Sequence, residues 1–118
     1  MRFLVHGNSI TPVVKAALVR HGHAVEEFSF VDLTAEQLLE QLHVRQLDLL
    51  TDDPDLARAA GETRPEKFDR CVVYLQLSGA DVEQDDAIDR LFARYKRLSP
   101  RKIYSVTESR VKVRQMKQ

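Results

Sequence analysis

Short apolar runs alternate with longer amphipathic stretches along this chain. Arg2 to Val5 is a compact apolar run that predicts a buried strand. Thr11-Pro12 places a capping residue before proline at the first helical position, and Val13, Val14, Ala17 and Leu18 follow as one apolar stripe at helical spacing. Gly22 stops that helix, and Ala24 to Phe28 predicts a second strand. Thr34 and Gln37 have the spacing of a capping box, opening a helix whose inner face carries Leu38, Leu39 and Leu42. Leu47 to Leu50 predicts a third strand, which runs straight into Thr51-Asp52-Asp53-Pro54-Asp55. Asp53 before Pro54 has the pattern of an N-cap, and Gly61 is placed to end the helix that follows.

Residues 62–69 form a polar loop containing Pro65. Cys71 to Leu77 is rich in strand-forming residues. Ile88, Leu91, Phe92, Tyr95 and Leu98 recur at helical spacing, predicting an amphipathic helix closed by Ser99-Pro100. Lys102 to Val106 and Val111 to Arg114 predict two strands in a hairpin around Thr107-Glu108-Ser109. Strands alternating with helices favour an α/β fold with a mainly parallel sheet covered on both faces. In such sheets ligands collect at the carboxyl ends of the strands. His6 follows the first strand there, and Asp52, Asp53 and Asp55 follow the third, so residues distant in sequence can meet in space.

With 118 residues the chain fits one domain, residues 1–118, and the balance of 43% hydrophobic to 31% charged residues supports a packed core over general disorder. No apolar run approaches the roughly 20 residues that span a bilayer, and the N-terminal run is too short for a signal peptide. Cys71 is the only cysteine, which rules out an internal disulfide and suits a reducing, cytoplasmic setting. The net charge of zero conceals a polarity. Residues 1–60 hold 5 Lys/Arg against 9 Asp/Glu, whereas residues 94–118 hold 9 Lys/Arg against Glu108 alone. An acidic front and a basic rear suit a protein that holds a cation at one place and a polyanion at another, although a solvated last helix and hairpin would give the same count.

The aspartates at 52, 53 and 55 carry the main chemical signal. Carboxylates clustered after a strand can bind Mg²⁺ or Mn²⁺, which would activate water and stabilise charge developing on a phosphoryl oxygen. The same residues also serve structure, Asp53 as a cap and Asp55 in the first turn of a helix. His6 can ligate Mn²⁺ or act as a general base, or simply hydrogen-bond at a strand end. Asn8 can orient a water or tie the loop. Glu36 and Glu40 lie one helical turn apart and Asp32 precedes their helix; one of the three can complete an acidic pocket, or the helix face can simply meet solvent. His21 and His23 lack an adjacent acid or cysteine partner, and Cys71 lacks a histidine or aspartate partner that would make it a nucleophile. The chain contains no glycine-rich phosphate loop, nucleophile elbow or paired Cys-x-x-Cys, which weakens a phosphatase reading on a similar frame.

Phe3-Leu4-Val5-His6-Gly7-Asn8 resembles the Phe-Leu-Val-Asp-Glu-Asn opening of a compact bacterial PIN-like (VapC-like toxin) nuclease family. Leu49-Leu50-Thr51-Asp52-Asp53-Pro54-Asp55-Leu56 is similar to that family's Leu-Leu-Thr-x-Asp-x-Asp-Phe, and Arg20-His21-Gly22-His23-Ala24-Val25 to its Arg-Gly-His-Asp-Val. The closing hairpin, Ile103 to Val113, looks similar too. The resemblance implies a three-layer α/β/α sandwich and a metal-dependent ribonuclease site, possessed in many such proteins by the toxin of a toxin–antitoxin pair. It implies Asp53 as the main metal ligand, Asp55 as an auxiliary acid and Glu36 as the acid of the second helix. Thr51, Asp52 and Asn8 would border the site, and His6 would act as ligand or base. Arg101, Lys102, Arg110, Lys112 and Arg114 would steer RNA. A small DNA-binding antitoxin and a homodimer are the implied partners. His6 and Gly7 stand where the family has Asp and Glu. Their loss removes charge that holds Mg²⁺, leaving either an altered site that favours Mn²⁺ or a binding module that no longer cuts.

Overall fold

The computed structural model describes residues 1–29, 31–77 and 80–117. Four helices are interleaved with six strands: β1 (Arg2–His6), α1 (Pro12–Arg20), β2 (Ala24–Glu26), α2 (Ala35–Arg45), β3 (Asp48–Thr51), α3 (Pro54–Glu62), β4 (Val72–Leu75), α4 (Asp81–Arg94), β5 (Lys102–Val106) and β6 (Val111–Gln115). The strands form one sheet in the order β2-β1-β3-β4-β5-β6. Its first five strands are parallel, and β6 runs antiparallel to β5.

Strand alternation sorts the side chains into two cores. Phe3, Leu50, Val73, Tyr104 and Val106 pack with Val14, Ala17 and Leu18 of α1 and with Ala87, Ile88, Leu91 and Phe92 of α4. Their neighbours Leu4, Leu49, Val72 and Ile103 point the other way, against Leu38, Leu39 and Leu42 of α2 and Leu56 and Ala60 of α3. The result is a mostly parallel sheet between two helical layers, as expected where both faces of the strands are apolar. All four residues of β3 are buried.

Four local expectations change on folding. The β2 strand ends at Glu26, and Phe28 leaves the sheet to pack near α2, where the Arg45 guanidinium stands 4.3 Å over its ring. Thr11 is the N-cap of α1 but gives it no side-chain bond. Its hydroxyl turns instead to Gln84 of α4, 3.3 Å away. Gly61 does not end α3. The helix runs on through Glu62, and a Cβ at position 61 would stand 2.9 Å from Cδ1 of Ile103, so glycine serves the close approach of helix to sheet. The last helix stops at Arg94. Leu98 lies beyond it and is buried in the same core from the connecting segment.

Between β1 and β3 the chain's connections diverge, one leading to β2 on one side and the other continuing to β4 on the opposite side. Such a reversal opens a crevice at the carboxyl ends of the strands. Ligand-bearing loops of this fold class collect there, and His6 and Thr51 are register partners at that point.

Candidate functional site

His6, Gly7, Asn8, Ser9, Asp52, Asp53 and Pro54 line an open cleft of ≈ 640 Å³ at the β1/β3 crevice. Thr51 lies fully buried beneath it and ties its two sides together. The Thr51 hydroxyl is 2.9 Å from Nδ1 of His6 and accepts the backbone N–H of Asp53 at 3.0 Å. If His6 donates from Nδ1 to this hydroxyl, its basic lone pair resides on Nε2. Asp53 caps α3, with Oδ1 accepting the N–H groups of Asp55 at 2.9 Å and Leu56 at 3.4 Å. Its Oδ2 makes no hydrogen bond among the described residues.

Asp52 is held by a different device. Its Oδ2 accepts the Ser9 N–H at 2.9 Å, and its Oδ1 lies 2.1 Å from where a Cβ of residue 7 would stand. Gly7 has φ of +146°, a conformation L side chains rarely adopt. Glycine at this position therefore admits both the backbone turn after β1 and the carboxylate folded over it.

The loop carrying Asn8 and Ser9 is braced from below by Gln84, which sequence reasoning missed. Gln84 is buried on the inner face of α4, donates from Nε2 to the Ser9 carbonyl at 2.8 Å and accepts the Thr11 N–H at 2.9 Å. Its signal was present in the sequence. Gln84 falls on the same helical stripe as Ile88 and Leu91, and a polar residue on an apolar stripe must find partners inside.

The predicted acids separate. His6, Asn8, Asp52 and Asp53 meet at the cleft. Asp55 does not line it and instead pairs with Arg58 at 3.3 Å on the outer surface of α3. Glu36 faces a groove between α2 and the segment before β4, where Lys67 lies 3.7 Å away. Among the described residues the one group that brings three such ligand atoms within 4.8 Å is Asp85, Asp86 and Asp89 of α4. Two of those carboxylates already pair with Arg20, Asp89 at 2.6 Å and Asp85 at 3.2 Å, and Asp89 also lies 2.7 Å from Nε2 of His21. Hydrogen bonds from His21 and then Arg20 lower the pKa of Asp89.

The predicted basic residues also divide. Arg101 is structural: its guanidinium donates to the carbonyls of Phe68, at 2.8 Å, and of Lys117, and burial lowers its pKa. Lys102 pairs in register with Gln115, on the α4 side of the sheet at its amino end. Arg110 is exposed in the hairpin turn, while Lys112 and Arg114 project to the α3 side beside Ser105 and Ile103.

His23 and Cys71 stand apart from this chemistry. The His23 ring is stacked 4.5 Å from Phe92 and edge-on to Phe3, and burial, then the terminal ammonium of Met1, lowers its pKa. Burial raises the Cys71 thiol well above its ordinary value, which disfavours the thiolate a nucleophile needs. No described helix is long and apolar enough to cross a membrane. No family model, curated protein or solved structure matches this chain.

Proposed function

We propose that this chain is a PIN-like domain that cleaves RNA in a metal-dependent reaction at the β1/β3 cleft. The observation that carries this reading is the Thr51 hydroxyl, which holds the His6 imidazole and the start of the Asp53 segment together while Asp52 folds over Gly7 beside them. An imidazole and two carboxylates thereby share one crevice at the topological reversal. Where the family motif has a glutamate, the Asp52 carboxylate over Gly7 returns a negative charge to the neighbouring space.

Asp52 and Asp53 each keep one carboxylate oxygen without a hydrogen bond among the described residues, a donor set suited to a cation that retains most of its waters. Mg²⁺ or Mn²⁺ held there would supply phosphate charge neutralisation and a water of lowered pKa. Asp53 and Asp52 would hold the cation, Asn8 would orient substrate or water at the rim, and His6 would take a proton at Nε2. Thr51 fixes the imidazole for that role.

The test is single-stranded RNA incubated with EDTA, Mg²⁺ or Mn²⁺, beside Asp53→Asn. Asparagine is as good an N-cap as aspartate, so this variant removes charge while keeping α3 capped. Cleavage that needs metal and disappears in Asp53→Asn is the expected result. A folded wild-type protein that cuts under no metal condition overturns the reading.

A second reading, a PIN-like binding module without cleavage, draws on the commitments of the same carboxylates. Asp53 caps α3, Asp52 holds Ser9, Asp55 and Glu36 face elsewhere, and no three ligand atoms in the cleft converge within 4.8 Å among the described residues. Millimolar Mn²⁺ that leaves the melting temperature unchanged would favour this reading, because a ligand of the native state must raise it. Under either reading a toxin-like role implies a small DNA-binding antitoxin and a homodimer, and co-purification with a neighbouring gene product tests it.

A further inference from the structure

Sheet register places five polar side chains in one row. His6 of β1 partners Thr51 of β3, Thr51 partners Tyr74 of β4, Tyr74 partners Ser105 of β5, and Ser105 partners Lys112 of β6. All five lie on the α2/α3 side: the first four are two residues along from the buried Leu4, Leu49, Val72 and Ile103, and Lys112 is placed there by its register with Ser105. At the ~4.8 Å spacing of neighbouring strands, the row extends about 19 Å from the cleft to the sheet edge.

The helix above this face does not cover the whole row. α3 starts at the carboxyl end of β3 and its last turn rests on Ile103, near the start of β5, so it crosses the sheet diagonally. The carboxyl ends of β4 and β5 and the start of the antiparallel β6 lie beyond it. Tyr74 and Ser105 are half-buried there and Lys112 is exposed; Arg114, also exposed, borders the corner beside Ile103 and the last turn of α3. Next to this corner, at the last turn of α3, Arg58, Arg114 and Lys117 share a surface groove. The nearby acids are Glu62 in that groove, Glu108 in the hairpin turn, and Asp55, which already pairs with Arg58. That exposed i,i+3 pair is weak enough for a phosphate to displace the carboxylate.

We propose that this uncovered corner, running from the cleft through Tyr74 and Ser105 to Lys112, with Arg114 at its border, is a track for a single strand of nucleic acid. Basic side chains beside an aromatic ring on an open sheet face match the way unpaired strands bind, with bases stacking on the ring and phosphates meeting Lys and Arg. The proposal rests on the reading that the cleft acts on RNA for the direction of the strand, but binding on the track needs no metal and no cleavage.

The experiment is fluorescence anisotropy of a short labelled single-stranded oligoribonucleotide in EDTA, across about 50 to 200 mM salt. Lys112→Ala and Arg114→Ala are each expected to weaken binding several-fold and to reduce the salt slope by about 1. Tyr74→Leu, which keeps an apolar side chain in the corner, is expected to weaken it roughly tenfold with the slope unchanged, while Tyr74→Phe binds as wild type. Lys102→Ala, on the opposite face, is the charge control and should bind as wild type. An equal loss in Lys102→Ala, tighter binding of a duplex than of a single strand, binding of an acidic polypeptide in place of RNA, or no binding at the lowest salt overturns the track. Binding with this mutant pattern but no cleavage in any metal upholds the track and overturns the nuclease reading. Cleavage unaffected by Lys112→Ala, Arg114→Ala and Tyr74→Leu does the reverse.

Discussion

The carboxylate of Asp52 occupies the space in which a side chain at position 7 would stand, with Oδ1 2.1 Å from the site of a Cβ on Gly7. The two residues are therefore coupled. Gly7→Ala meets both the clash and the positive φ, and is expected to lower stability by about 2–4 kcal/mol in urea unfolding. The double variant Gly7→Ala/Asp52→Ala removes the clash and keeps the backbone strain, so it should lose less than the sum of the single changes. Strict additivity would show that Asp52 does not rest on Gly7 in solution.

Asp53 combines a cap with a candidate metal-binding charge, and two substitutions separate them. Asp53→Ala should cost about 1 kcal/mol by leaving the N–H groups of Asp55 and Leu56 without their acceptor, whereas Asp53→Asn should leave the unfolding midpoint nearly unchanged. If both variants are equally stable, the cap contributes nothing measurable.

Gln84 holds the loop that carries Asn8 and Ser9. Gln84→Leu keeps the volume of the helix face but removes the partners of the Thr11 N–H and the Ser9 carbonyl. Stability should fall by about 1–3 kcal/mol, and the Thr11 amide should exchange with deuterium faster while amides of α4 change less. An unchanged Thr11 exchange rate would remove Gln84 from the role of brace.

Two aspartate–arginine pairs of similar length differ in setting. Asp48 is buried, accepts Arg70 at 3.2 Å and takes the Cys71 N–H at 3.0 Å, whereas the Asp55–Arg58 pair at 3.3 Å is exposed. Asp48→Ala leaves the buried Cys71 N–H without its acceptor and the half-buried Arg70 guanidinium with Gln46 in place of a carboxylate, and should cost about 2–4 kcal/mol, allowing for the partial exposure of Arg70. Asp55→Ala should cost less than about 0.5 kcal/mol. Equilibrium unfolding of both variants gives the comparison directly, and equal losses would contradict the assignment of Asp48 to the interior.

Acid should destabilise the fold through His23. Burial beside Phe92 and Phe3 lowers its pKa in the native state, so the unfolded chain binds the proton more readily. Its contribution is present in full above the ordinary histidine value of about 6.5 and is lost as pH falls through the window below it. His23→Phe keeps a ring between Phe3 and Phe92 without a titrating group. The variant's unfolding midpoint should decline less than that of wild type over that window, and parallel curves would assign the acid sensitivity to other groups.

Much of the local structure was legible because its causes are local. The capping box of Thr34 and Gln37 forms as the spacing predicts, Asp53 caps α3 before Pro54, and the alternation of strands with helices yields the mostly parallel sheet with its closing hairpin. These depend on hydrogen bonds and periodicities within a few residues. Tertiary packing decided the rest. It diverted the Thr11 hydroxyl to Gln84 and carried α3 through Gly61 because Ile103 needed the room. It gathered His6, Asn8, Asp52 and Asp53 at one crevice and turned Asp55 and Glu36 toward Arg58 and Lys67. Arg101 became a brace for backbone carbonyls, while Lys112 and Arg114 came onto the face shared with Tyr74. Sequence by itself determined which residue types were available and where elements could begin. Which of them face one another followed from strand order and register, since a residue's face alternates at every step and its neighbours come from distant parts of the chain.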